Sequence, residues 1–104
     1  SDNGWHLGEK QHWHKSTLWE RATRVPLMIS GPGVRATGTP RKQAVSLLDL
    51  YPTLCELCQL PVRPELEGES LMPLLRDAKA KHKPAVITYN PGNHAVRTEK
   101  WRYI

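Results

Sequence analysis

Proline falls at nine positions along 104 residues, and phenylalanine at none. Proline lacks an N–H donor and breaks helix interiors and central strands, so it restricts a chain to short elements separated by loops. With 38% apolar residues, the expectation is at most one small domain with a thin, interrupted core. A chain of this length can bury about 60 to 70 per cent of its unfolded surface, which leaves little margin for independent stability.

Between the prolines the pattern is legible. Residues 16–22 suit one or two helical turns, with Ser16 or Thr17 as N-cap and Glu20 in the capping-box position relative to Thr17. Residues 25–29 form a continuous apolar run before Gly31-Pro32-Gly33, as in a strand covered on both faces. A basic Gly/Pro/Thr-rich loop and a short strand at 43–45 follow, and Ser46 is placed to cap a helix. Leu47, Leu50, Leu54, Leu57 and Leu60 lie near helical spacing, and Pro52 belongs in a first turn, so regular helix is expected from about Tyr51. Residues 61–68 read as linker and 70–75 as a short helix. Three short strands are expected at 85–89, 95–98 and 101–104, the first two joined by the turn Asn90-Pro91-Gly92-Asn93. This divides the chain into a core portion (1–77), a lysine-rich surface connection (78–84) and a strand-rich portion (85–104).

The chemistry-bearing residues gather at the start. Asp2 and Asn3 offer adjacent hard oxygens, and Gly4 lets the backbone turn so that both can face one point. Taken alone, Asp-Asn-Gly is an ordinary turn. As a metal site it is incomplete, because calcium takes roughly 6 to 8 oxygens. His12-Trp13-His14 supplies only two of the four ligands a zinc ion needs, which favours a loop role for both rings. Cys55 and Cys58 lie one turn apart in a leucine-rich helix with no second pair, so both are expected to serve as small core residues.

Four segments in order resemble the sulfatases, in the branch that includes iduronate-2-sulfatase and choline-sulfatase-like enzymes. They are Ser1-Asp2-Asn3-Gly4-Trp5-His6-Leu7-Gly8-Glu9 with Trp13-His14-Lys15 and Ala22-Thr23-Arg24-Val25-Pro26-Leu27; Asp49-Leu50-Tyr51-Pro52-Thr53-Leu54; Leu66-Glu67-Gly68-Glu69-Ser70-Leu71-Met72-Pro73-Leu74-Leu75; and Gly92-Asn93-His94-Ala95-Val96-Arg97-Thr98 with Trp101-Arg102-Tyr103-Ile104. The resemblance implies an α/β fold, a fragment of an alkaline-phosphatase-like sandwich with a mixed central sheet and the start of a smaller C-terminal sheet. It also implies hydrolysis of a sulfate ester, with Asp2 and Asn3 on calcium, Lys15 on the sulfate group and His94 facing the substrate. Some relatives carry histidine where Asn3 stands, and an all-oxygen pair favours calcium or magnesium over zinc. For His6 and Glu9 the expectation is a role in shaping the loop.

In sulfatases of this kind the nucleophile is a formylglycine made within Cys/Ser-x-Pro/Ala-x-Arg, and neither Cys55-Glu56-Leu57 nor Cys58-Gln59-Leu60 fits that pattern. Formylglycine is therefore expected outside these residues, and the 104 residues alone are expected to be inactive. Asp2 has one residue before it and the last strand has no cap, so both ends look cut and the remainder of the sulfatase polypeptide is an expected partner. The other expected partner is a sulfated carbohydrate or similar ester. A net charge of +5 also suits an anionic partner, yet the scattered basic residues lack the aromatic interleaving of a nucleic-acid reader. No apolar run approaches the roughly 20 residues of a membrane span. Family resemblance implies a secreted, periplasmic or lysosomal location. Two alternatives remain open: a phosphoesterase or phosphonate hydrolase of the same superfamily, and a non-catalytic domain that binds acidic polysaccharide.

Overall fold

A computed structural model describes residues 3–35 and 38–104, so the expected ligand Asp2 lies outside the described residues. The elements run β1 (His6–Leu7), a 3-10 turn (Glu9–Gln11), β2 (Trp13–His14) and α1 (Glu20–Thr23), then a 3-10 turn (Leu47–Asp49), α2 (Leu50–Leu57) and α3 (Met72–Arg76). The chain ends with β3 (Ala85–Thr88), β4 (His94–Arg97) and β5 (Arg102–Tyr103). Helix and sheet are mixed, as expected. Among the described residues, however, both sheets are purely antiparallel, a two-stranded ribbon β1-β2 and a three-stranded sheet β3-β4-β5.

The middle of the chain is built around a capping box. Ser46 accepts the Leu48 N–H at 3.3 Å, and the Asp49 carboxylate accepts the Ser46 N–H at 2.8 Å. This reciprocal pairing starts the helix, and Pro52 then sits in the first turn of α2, where a missing N–H costs nothing. Segment 68–72 lies across this helix start. A Cβ on Gly68 would stand 2.0 Å from the Leu48 carbonyl oxygen, so only glycine lets the two backbones approach. Glu69 N–H donates to Asp49 at 2.9 Å and Leu71 N–H to Thr53 Oγ1 at 2.8 Å, which docks the segment that leads into α3.

The leucine spacing of α2 does not mark its buried face. Leu47, Leu54 and Leu60 are exposed, whereas Asp49, Pro52, Thr53 and Cys55 are buried. The polar side of the helix start carries the hydrogen bonds to segment 68–72, and that requirement decides which face turns inward. Cys58 is exposed, so only Cys55 fills the expected core role, and both thiols are free.

Two expected strands are absent among the described residues. Residues 25–29 and 43–45 have no ladder partner, and Met28 in the first run is 90% exposed. An apolar run signals burial but does not supply the pairing that makes a strand. At 43–45 the chain is held instead by side chain to backbone bonds, since Gln43 Nε2 donates to the carbonyls of Ala78 at 3.2 Å and Ala80 at 2.9 Å. The first helix also starts later than expected, with Trp19 as N-cap and no side-chain cap bond.

The C-terminal sheet alternates as a strand pair should. Ala85 and Ala95 face inward, while Val86, Thr88, His94 and Val96 share the outer face, with Val86 opposite Val96 and Thr88 opposite His94. Arg102 anchors the sheet to the first part of the chain, donating to the Leu18 carbonyl at 2.6 Å and to Glu20 at 2.8 Å.

Candidate functional site

The β1-β2 ribbon organises the first fifteen residues. His6 pairs with His14 and Leu7 with Trp13, and the connection closes through Gly8 N–H to the His12 carbonyl at 3.0 Å. Gly8 takes φ 111, a left-handed conformation that glycine adopts without strain. Glu9 shapes this loop as expected: it accepts the Leu7 N–H at 2.7 Å and pairs with Arg21 at 3.0 Å. The Leu7 N–H is the main reason the Glu9 carboxyl stays below the usual carboxylate range, and Arg21 adds to it.

With the loop at one end, the chain enters β1 and leaves β2 at the other. Of the expected site residues, Asn3 lies three positions before His6 of β1 and Lys15 directly follows β2. Gly4, next to Asn3, is held against α1. Its N–H donates to the Ala22 carbonyl at 2.9 Å, and a Cβ there would fall 1.8 Å from the Arg21 carbonyl oxygen, so the chain is pressed onto α1.

Lys15 is half-buried, and its neighbours His14 (φ 70) and Ser16 (φ 67) are both left-handed without being glycine. Its carbonyl oxygen receives two imidazoles, His12 Nε2 at 3.3 Å and His14 Nδ1 at 3.2 Å. These rings belong to an aromatic cluster. His12 lies edge-on to His6 (5.3 Å) and Trp19 (5.8 Å) and tilted on His14 (4.9 Å), and Trp5 meets His14 at 6.3 Å. His6, 1% exposed, shares a 2.9 Å hydrogen bond with Thr17 Oγ1. The loop role expected for both rings holds for His12, which lies between the 3-10 turn and β2, and is corrected for His14, a β2 residue; both rings bond the Lys15 carbonyl.

His94 stands elsewhere, exposed at the first position of β4, with Nδ1 3.0 Å from Thr88 Oγ1. The described hydrogen bonds and ring contacts do not join it to Asn3 or Lys15. Among the described residues, no group of three or more His, Cys, Asp or Glu side chains could hold a metal ion. His6 and His12 meet edge-on, and the His12 and His14 nitrogens that converge do so on the Lys15 carbonyl. Of the expected oxygen pair, Asp2 lies outside the described residues, and Asn3 contributes one hard oxygen.

Sequence reasoning missed one buried polar group. The lysines at 79, 81 and 83 are exposed, as a surface connection requires, but the His82 side chain is 3% exposed and bonds to Asp49. The available signal was the Ser46-x-x-Asp49 capping box, which marks Asp49 as structural but does not point to its distant partner.

A small mixed helix-and-sheet unit with this order of motifs defines a class of protein. Residues 8–103 match the family described as N-sulphoglucosamine sulphohydrolase, C-terminal, and the chain belongs to that sulfatase family. Among curated relatives it is 39% identical to a sulfatase from Formosa agariphila, 32% to arylsulfatase K from Homo sapiens and 37% to a choline-sulfatase from Rhizobium meliloti. Each alignment covers 100% of this chain but only 20%, 22% and 21% of the respective relative, so the chain spans about a fifth of their length. No solved structure matches the chain significantly. Among the described residues, no helix is long and apolar enough to cross a membrane.

Proposed function

We propose that this chain is the later part of a sulfuric ester hydrolase that removes sulfate from a sulfated sugar. The observation that carries the reading is the family match over residues 8–103, in a chain where the oxygen donor Asn3 and the lysine Lys15 flank the two strands of the β1-β2 ribbon. The description of the matching family, which names a sulphoglucosamine, supports a sugar substrate over a small alkyl or aryl ester. The wider architecture would be an alkaline-phosphatase-like sandwich whose central sheet comes from polypeptide outside these residues, in a secreted, periplasmic or lysosomal protein.

In this scheme Lys15 binds a sulfate oxygen. Its ammonium is a compact charge that offsets negative charge as the ester bond breaks, and its half-buried position strengthens that interaction. Asp2 and Asn3 hold calcium together with ligands from elsewhere in the protein. Calcium would supply charge neutralisation at sulfate, and a formylglycine outside these residues would supply the nucleophile. His94, with Nδ1 turned to Thr88, keeps Nε2 available for a substrate hydroxyl.

The test is Lys15→Ala in the full-length protein. Loss of one charge-stabilising donor should lower turnover of an aryl sulfate and a sulfated disaccharide by about 100-fold or more, without change in fold. Unchanged turnover, or a preference for phosphate esters, would overturn the reading. Salt-sensitive binding of sulfated glycans with no turnover would instead favour the polysaccharide-binding alternative.

A further inference from the structure

We propose that His12 and His14 are positioning residues for Lys15, acting as a two-ring clamp on its backbone; this rests on the assignment of Lys15 to sulfate binding. A carbonyl oxygen only accepts hydrogen bonds. Both contacts to the Lys15 carbonyl must therefore be imidazole N–H donors, Nε2–H of His12 at 3.3 Å and Nδ1–H of His14 at 3.2 Å. In the neutral rings this fixes both tautomers, and a carbonyl's two lone pairs accommodate both donors.

The clamp sits where the backbone needs it. Left-handed conformations at His14 and Ser16 bracket Lys15, and non-glycine residues keep such conformations only where the surroundings impose them. The surroundings here are the rings themselves. His14 is held by its ribbon partner His6 and by Trp5, and His12 by His6, His14 and Trp19. Through the clamp, the backbone orientation of the lysine is set by the β1-β2 ribbon and the rings packed on it. Without the two donors, the peptide between positions 15 and 16 is free to rotate, and the lysine side chain loses its fixed direction.

A purely structural role would make the same hydrogen bonds, so the test rests on rescue and coupling in the full-length enzyme. In His12→Gln the amide N–H stands in for Nε2–H, and in His14→Asn it stands in for Nδ1–H. His12→Leu and His14→Leu keep bulk without a donor. The expected result is that each leucine variant raises KM for the sulfate ester and Ki for inorganic sulfate by about 10-fold or more, as misplacement of a binding group does. His12→Gln and His14→Asn should recover most of that loss. On a Lys15→Ala background, the leucine substitutions should cost nothing further. If His12→Leu does not fold, the exposed His14 carries the same comparison by itself. Equal damage from leucine and amide variants, losses that persist on the Lys15→Ala background, or no loss at all would overturn the clamp while leaving the sulfatase reading intact. Unchanged turnover in Lys15→Ala would remove that reading and the clamp with it.

Discussion

His82 Nε2 donates to Asp49 Oδ2 at 3.0 Å, with both side chains almost wholly buried, and so ties the connection before β3 to the start of the helix 33 residues earlier. The same carboxylate accepts N–H groups from Ser46 and Glu69, so one side chain joins three separate segments. Removing it leaves three donors unpaired in a buried place. Asp49→Ala should therefore destabilise the protein by roughly 3 kcal/mol or more, whereas His82→Leu, which leaves the other two bonds to Asp49 in place, should cost about 1 to 3 kcal/mol. Urea unfolding midpoints of full-length wild type and both variants check the order.

The same group predicts an acid limit. Burial alone would raise the Asp49 pKa, but the N–H groups of Glu69 and Ser46 together with His82 outweigh it and hold the carboxyl below its ordinary value of 3.8. A carboxylate whose folded pKa is depressed contributes stability above its unfolded value and loses it as pH falls through the folded one. The contribution should thus be full above about pH 4 to 5 and fade below that. Stability of Asp49→Asn, measured from pH 6 to pH 3, should fall less steeply in that window than wild type. An equally steep fall would place the acid sensitivity elsewhere.

How far the sequence revealed this fold depended on the range of the signal. The Ser46 cap, Pro52 in a first turn and the Asn90-Pro91-Gly92-Asn93 turn are local, and the helix and the β3-β4 hairpin form where they point. Pairing and facing are not local. Residues 25–29 carry the composition of a strand without a partner, and Leu54 carries the spacing of a core residue on the side of α2 that faces out. For the candidate site, the residue types were legible from the motif order, and the ribbon register could be inferred only once β1 and β2 were seen to pair. The joint hold of His12 and His14 on one carbonyl depends on two left-handed residues, which no side-chain pattern announces.

Two glycines allow backbone contact to be separated from site geometry. Gly68→Ala places a methyl group 2.0 Å from the Leu48 carbonyl oxygen, with backbone on both sides and no flexible side chain to yield. Overpacking of this kind costs about 1 to 3 kcal/mol and should lower the unfolding midpoint; on the proposed calcium assignment it should leave the calcium dependence of turnover unaltered. Gly4→Ala meets the Arg21 carbonyl oxygen at 1.8 Å, but here the displaced neighbour is Asn3. It should raise the calcium requirement as well as lower stability. A calcium titration of turnover in the two variants distinguishes them, and identical titrations would count against Asn3 as a ligand.

Asn3 itself gives the most direct test of the metal assignment. Asn3→Ala removes one hard oxygen, and Asn3→Asp keeps it while adding charge. With calcium held by roughly 6 to 8 oxygens, loss of one weakens binding without abolishing it. Asn3→Ala in the full-length protein should therefore need about 10- to 100-fold more calcium for half-maximal turnover, a change of order 1.4 to 2.7 kcal/mol in binding free energy. Asn3→Asp should retain binding near the wild-type range. Because ligand occupancy stabilises the folded state, the calcium-induced rise in thermal midpoint should shrink in Asn3→Ala and persist in Asn3→Asp, a readout that does not depend on turnover. If calcium raises the midpoint equally in all three proteins, Asn3 is not among its ligands.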